Sequence, residues 1–221
     1  MRALPQPPLL VITDRKQARR PLEEIAEAIF AAGCRWLLLR ERDLAASERL
    51  ALTARLSALA KEHGATLLVS ADLDAARLAD GVHLPRDGDV KAARVTLGPD
   101  ALIGLSAHDL SEASAAAEAG ADYVTLSPIF ASDSKPGYGP ALGLAAVGRV
   151  VDALSIPVLA LGGIAAGNAS DCLRAGATGV AVMGDIMRAA APGEAVAELL
   201  PVLLRNEAEA GQDRGSSAEC G

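Results

Sequence analysis

The chain has 221 residues, 51% hydrophobic and 22% charged, which suffices to bury one sizeable core and is short for two ordinary domains. A net charge of −7 excludes a protein built mainly to hold nucleic acid, because neutralising phosphates needs a basic surface. No run approaches the ~18 apolar residues of a membrane helix, and the amino terminus MRALPQPPLLVITDR lacks the apolar core of an export signal, so neither membrane nor secretion is expected.

Short aliphatic runs alternate with longer alanine-rich stretches of helical period. Strands are expected at Leu9–Thr13, Trp36–Leu39, Thr66–Val69, Gly81–Leu84, Leu102–Ser106, Tyr123–Leu126, Val158–Leu161 and Gly179–Val182. Helices are expected near 21–32, 46–62, 72–79, 89–96, 110–119, 142–153, 167–175 and 192–204, the third a stub because its unit is short. Ala32-Gly33, Ala119-Gly120 and Ala175-Gly176 each end a helical pattern just before a strand, where a left-handed residue commonly stops a helix. Eight βα units in about 200 residues predict an α/β fold, a single (β/α)8 TIM barrel with a parallel eight-stranded core over 1–205. A flavodoxin-like open sheet is the alternative and needs fewer strands. With five aromatic residues in all, the core must be aliphatic. Residues 206–221, NEAEAGQDRGSSAECG, are acidic and without apolar periodicity, and are expected to be a disordered tail. The odd number of cysteines and the lack of C-x-x-C spacing fit a reducing cytoplasm. Cys34 and Cys172 read as packing residues.

Function is expected where loops follow strands. The turns Leu161-Gly162-Gly163-Ile164 and Val182-Met183-Gly184-Asp185 follow strands seven and eight, where backbone N–H groups and a short extra helix, here Asp185–Ala189, commonly bind phosphate. Two tight turns that need glycine for conformation alone are the alternative. Arg40 and Arg42 follow strand two on one side of the chain and suit phosphate or carboxylate, unless they form a salt-bridged rim with Glu41 and Asp43. The segment SPIFASDSKPGYGPA after strand six is too rich in proline and glycine for regular structure and reads as an active-site lid. Within it Ser132, Ser134 and Lys135 can wrap an anion, or simply be solvated. His108, just past strand five, is placed for proton transfer. His83 lies inside a strand and reads as packed, His63 as solvent-facing, Asp109 as a helix cap and Asp14-Arg15 as a rim pair. Asp72 with Asp74, and Asp87 with Asp89, can offer oxygen ligands to magnesium, but helix capping is the favoured reading and no metal site is assigned.

With these residues assembled, the chain resembles the thiamine phosphate synthase family and its thiazole tautomerase (TenI-type) relatives across roughly 9–204. The blocks that carry the resemblance include Val11-Ile-Thr-Asp-Arg15, Leu39-Arg-Glu-Arg42, Asp80-Gly-Val-His-Leu84, Gly104-Leu-Ser-Ala-His108, Ser127-Pro-Ile-Phe130, Ser132-Asp-Ser-Lys135 and Pro157-Val-Leu-Ala-Leu-Gly-Gly-Ile164. The resemblance implies a cytoplasmic thiamine-biosynthesis enzyme that binds a thiazole phosphate through Gly162, Gly163, Met183 and Gly184, with Lys135 and His108 as catalytic candidates. A homo-oligomer is left open.

In the synthase, a hydroxymethylpyrimidine diphosphate is joined to the thiazole phosphate with magnesium and pyrophosphate leaves. This chain departs from that pattern. It has Leu38, Arg40 and Arg42 where Gln-x-Arg-x-Lys is typical, Ser70-Ala71 in place of an Asn-Asp pair, and Gly88 in place of a further aspartate. The Arg-Glu-Arg block and Leu84-Pro85 look more like the tautomerase branch, which moves a proton by a histidine at the position of His108 and needs no cofactor. The expectation is therefore a tautomerase, with the synthase as the alternative and a non-catalytic ligand-binding regulatory protein as a third reading.

Overall fold

The computed structural model describes residues 3–131 and 140–216. Eight parallel strands form one closed barrel in the order of the sequence: β1 (Leu9–Ile12), β2 (Trp36–Leu39), β3 (Thr66–Ser70), β4 (Gly81–Leu84), β5 (Leu102–Ala107), β6 (Tyr123–Leu126), β7 (Val158–Leu161) and β8 (Gly179–Val182). Helices α1 (Leu22–Ala31), α2 (Ala46–Glu62), α3 (Leu73–Ala76), α4 (Val90–Leu97), α5 (Leu110–Glu118), α6 (Leu144–Ala153) and α7 (Ala166–Arg174) follow the first seven strands. Helices α8 (Gly184–Met187) and α9 (Pro192–Ser216) follow the eighth. The TIM barrel expected from the alternation is what forms. The third helix is the expected stub.

Strand alternation sorts the core into two layers. Leu10, Ile12, Leu38, Leu68, Tyr123 and Leu159 fill the barrel interior, while Leu9, Val11, Leu37, Val69, Val124 and Val180 face the surrounding helices. Most strands are buried on both faces, which is why they read as unbroken aliphatic runs.

Helix α9 carries the backbone to Ser216, past position 206 where the sequence reading ended order, and residues 217–221 lie outside the described residues. Its anchoring half packs Val196, Leu199 and Leu203 into the outer core. Once that half is nucleated, an alanine- and glutamate-rich continuation propagates at little cost per residue.

One close approach fixes the interior. A Cβ on Gly104 would lie 2.1 Å from the Tyr123 ring, its register partner on β6. Gly104→Ala should therefore cost about 1–3 kcal/mol of stability by overpacking. Urea unfolding checks this, and an unchanged midpoint would contradict it.

Candidate functional site

All strand carboxyl ends open on one mouth, because all strands are parallel. The inward alternation brings Ser70, His83, Ser106 and Thr125 into the upper interior, above the apolar layer. His83 is buried, with Nδ1 3.0 Å from the Tyr123 hydroxyl and Nε2 3.0 Å from Ser106 Oγ. Burial, helped by the nearby Arg42 charge, pushes its pKa down to about 3. It is packed, as expected, and it is also the centre of a buried polar layer, which the sequence reading did not foresee. The signal was available in the period of two: if Val82 and Leu84 face the helices, His83 faces the interior.

Arg40 and Arg42 both reach this mouth. Arg42 Nε donates to Ser70 Oγ at 3.2 Å, and desolvation followed by repulsion from Arg40 lowers its pKa. The alternative in which they pair with Glu41 and Asp43 does not form. Glu41 accepts instead from the Thr13 hydroxyl at 2.8 Å and from the Arg15 N–H at 3.0 Å. Asp43 binds Arg15 at 3.0 Å and Lys16 at 2.9 Å, cations that hold its carboxyl down at about 2. Asp14-Arg15 is accordingly not a rim pair: Asp14 accepts from Gln17 Nε2 at 2.7 Å while Arg15 serves Asp43.

On the other side of β1 lie the glycine turns. Gly162 and Gly163 have positive φ, and Asn168 locks the second by donating to Gly163 O at 2.8 Å while accepting the Ala165 N–H at 2.9 Å. Asn168 escaped the sequence reading, although its place three residues beyond Ala165 is that of a capping box. Among the described residues no backbone carbonyl takes up the N–H of Gly163 or of Gly184. The extra helix after β8 is present, at Gly184–Met187. A Cβ on Gly163 would lie 2.4 Å from Ala131 O, so this glycine is required by the chain after β6. A bulky side chain there disrupts the fold of the turn before it touches any ligand.

His108 Nδ1 lies 2.8 Å from Ser127 O, and its backbone N–H donates to Glu112 Oε2 at 2.8 Å, which ties the end of β5 to the start of the segment after β6. Asp109 caps α5 as expected. His63 pairs with Glu27 at 3.1 Å and packs on Phe30. Ser132, Ser134 and Lys135 belong to residues 132–139, the part of the expected lid that lies outside the described residues.

The aspartates do not make a magnesium cage. Asp72 caps α3 with one oxygen and binds Arg49 with the other at 2.6 Å. Asp89 caps α4 through Ala92. Asp87 is exposed and faces the Arg42 charge. Among the described residues no three His, Cys, Asp or Glu side chains stand close enough to share a metal ion. A cavity of about 610 Å³ lined by Thr66, Asp80, Asp100 and Leu102 lies at the opposite end of the barrel, away from these groups. Among the described residues no helix is long and apolar enough to cross a membrane.

The family model described as thiamine monophosphate synthase matches residues 9–186. The chain belongs to that family. It is 41% identical over 189 residues to the thiamine biosynthesis bifunctional protein ThiM/ThiE of Symbiobacterium thermophilum, covering 84% of this chain and 39% of that longer relative. It is 37% identical over 198 residues to the thiamine-phosphate synthase of Roseiflexus sp. strain RS-1, covering 87% of this chain and 84% of the relative. The solved thiamine phosphate pyrophosphorylase of Pyrococcus furiosus superposes with a TM-score of 0.81 at 30% identity, over 90% of this chain and 96% of that one. The family places the chain among the enzymes of thiamine biosynthesis.

These relatives overturn the expected tautomerase. The preference for it rests on Leu38 and Arg42 standing where glutamine and lysine are typical, on the missing Asn-Asp pair and aspartate, and on the Arg-Glu-Arg block with Leu84-Pro85. Arginine keeps the cation, however, and neither Arg40 nor Arg42 is drawn into an ion pair by Glu41 or Asp43, which bind the loop after β1, although Asp87 faces Arg42.

The buried imidazole makes stability depend on pH. Below about pH 6.5 the unfolded chain protonates His83 while the folded chain refuses the proton until about pH 3. Its contribution is complete above pH 6.5 and is lost steadily as pH falls between those values. Between pH 7 and pH 5 the unmodified protein should lose more stability, by urea unfolding, than His83→Gln; equal losses would contradict the buried neutral histidine.

Proposed function

We propose that the chain couples a hydroxymethylpyrimidine diphosphate to a thiazole phosphate and releases pyrophosphate, the reaction of a thiamine-phosphate synthase. The observation that supports this reading is the placement, on one barrel mouth, of two sets of groups suited to anions on the two sides of β1. Arg40 and Arg42 stand on one side, and the N–H groups at Gly163 and Gly184 on the other. An isomerase acting on one phosphorylated substrate needs one such face. Joining two phosphorylated substrates needs two.

In this reaction the C–O bond from the pyrimidine methylene to the diphosphate breaks and its electron pair leaves with pyrophosphate. The thiazole ring nitrogen supplies the pair for the new C–N bond. The guanidinium charges of Arg40 and Arg42 stabilise the charge that builds on the departing diphosphate, in a mouth where the buried polar layer holds them in place. We assign Ser132, Ser134 and Lys135 to the same anion on the sequence argument, and Gly162, Gly163, Met183 and Gly184 to the thiazole phosphate. Coupling moves no proton, so His108 is assigned to holding Ser127 through its 2.8 Å contact and not to proton transfer. Magnesium is implied by the family resemblance, but Asp72 and Asp89 here cap helices and Asp72 binds Arg49, and no step is assigned to a protein-held metal ion.

Purified protein supplied with both substrates and magnesium should release pyrophosphate and form thiamine phosphate. Arg40→Met should lower kcat/KM by about 10–100-fold, the worth of a charge-assisted contact. His108→Gln should cost less than ~10-fold, since it loses no acid or base worth 10²–10⁴. Absence of coupling in the unmodified protein would refute the reading, and a thousandfold loss in His108→Gln would return a proton-transfer role to that residue.

A further inference from the structure

The two arginines assigned to diphosphate stand on either side of a buried carboxylate in sequence, yet that carboxylate does not neutralise them. Glu41 is only 2% exposed. Its Oε1 accepts from the Thr13 hydroxyl at 2.8 Å and from the Arg15 N–H at 3.0 Å, and Arg15 Nη1 stands 3.9 Å from Oε2. The Thr13 oxygen in turn accepts the Arg40 N–H at 2.9 Å. One hydroxyl therefore spends its hydrogen on Glu41 and a lone pair on Arg40, joining the loop after β1 to the loop after β2. The Thr13 N–H extends the strand pairing to Leu38 O at 3.0 Å just below this point.

Resting on the synthase reading above, we propose that Thr13 and Glu41 form a clasp that positions Arg40 and Arg42 for the diphosphate. Stability alone does not account for it. Taking a carboxylate out of water is costly, and burial pushes the Glu41 carboxyl above its ordinary range. An apolar pair of similar volume commonly packs as well or better. What the charged acceptor supplies is a strong, directional bond from Thr13 and from the Arg15 backbone, each drawing the β2 loop to one place. Glu41, the carboxylate between the two arginines in sequence, is thereby turned toward the β1 loop and not onto them. The guanidinium groups are thus kept out of an ion pair with Glu41, and only the exposed Asp87 is seen to bear on Arg42 among the described residues. Neither Thr13 nor Glu41 needs to touch the ligand. They are positioning residues.

The test uses the full chain and inorganic pyrophosphate as the probe, with magnesium supplied, beside steady-state kinetics with both substrates. Thr13→Val keeps the shape and removes the relay; Glu41→Gln keeps an acceptor oxygen and removes the charge. Thr13→Val should raise the Kd for pyrophosphate and the KM for the diphosphate substrate by ~10-fold, the loss expected for a bond involving a charged group. KM for thiazole phosphate should stay within about twofold, since the glycine turns are built separately. Glu41→Gln should fall between the two, and combining Thr13→Val with Arg40→Met should add little to Arg40→Met alone. A merely structural pair would lower Tm, or shift both KM values together, and leave the pyrophosphate Kd unchanged; either result would overturn the clasp. An unmodified protein that neither binds pyrophosphate nor couples the substrates would instead overturn the synthase reading, and the clasp's purpose with it.

Discussion

Pairing of β1 with β8, Leu9 to Val180 and Val11 to Val182, closes the barrel, and the placement of every functional group depends on that closure. A parallel strand pair forces each crossover to return to the same end, so eight such pairs deliver eight loops to a single mouth. Closure also makes β1 the neighbour of both β2 and β8. The arginines that follow β2 and the glycine turns that follow β7 and β8 are far apart in sequence, yet they flank one strand. An open sheet with the same strands would have left them on opposite edges.

Within that frame the interior is divided by polarity. Its lower part is aliphatic and aromatic, with Trp36 against the edge of the Tyr123 ring at 4.9 Å. Its upper part is hydrogen-bonded, from Tyr123 through His83 to Ser106, with Ser70 receiving Arg42. Gly104 belongs to both parts, because only a residue without a side chain leaves room for the Tyr123 ring that reaches up to His83. A layer of this kind costs little when each member finds a partner, and it holds charges at its rim in fixed directions. The loop after β1 does the same work from outside, since Arg15 and Lys16 occupy Asp43 and Thr13 occupies Glu41. Glu41 and Asp43 therefore point to the loop after β1 and not to the arginines, while Asp87 faces Arg42.

The fold was legible because its signals are local: the aliphatic runs of buried parallel strands, the helical period between them, and glycines such as Gly33 and Gly176 that end helices. Five of the eight strand spans match at both ends, and the other three differ by a residue. At the carboxyl end the backbone of α9 runs on to Ser216, since a sequence with nothing to bury can continue a helix that is anchored elsewhere. In the site, Arg40, Arg42 and the glycine turns were visible as charge and backbone types after strands. Their partners were not. Whether Glu41 pairs with Arg40 or with Thr13 is decided by which loop lies beside it, a contact across 28 positions that composition cannot show. Asn168 and His83 fall between these cases, since periodicity and capping offsets would have found them. The isomerase expectation failed against the relatives, which are named as synthases: it weighed the missing aspartates as missing function, whereas the proposed diphosphate site rests on the arginines that remain.

The central claim is that one mouth holds two anions on separate faces. A crystal structure of the protein with thiamine phosphate and pyrophosphate bound tests it most directly. The account predicts pyrophosphate oxygens on the guanidinium groups of Arg40 and Arg42, beyond β2, and the thiazole-borne phosphate on the N–H groups at Gly163 and Gly184, beyond β7 and β8. Both anions on one face, or either of them at the opposite end of the barrel, would contradict it.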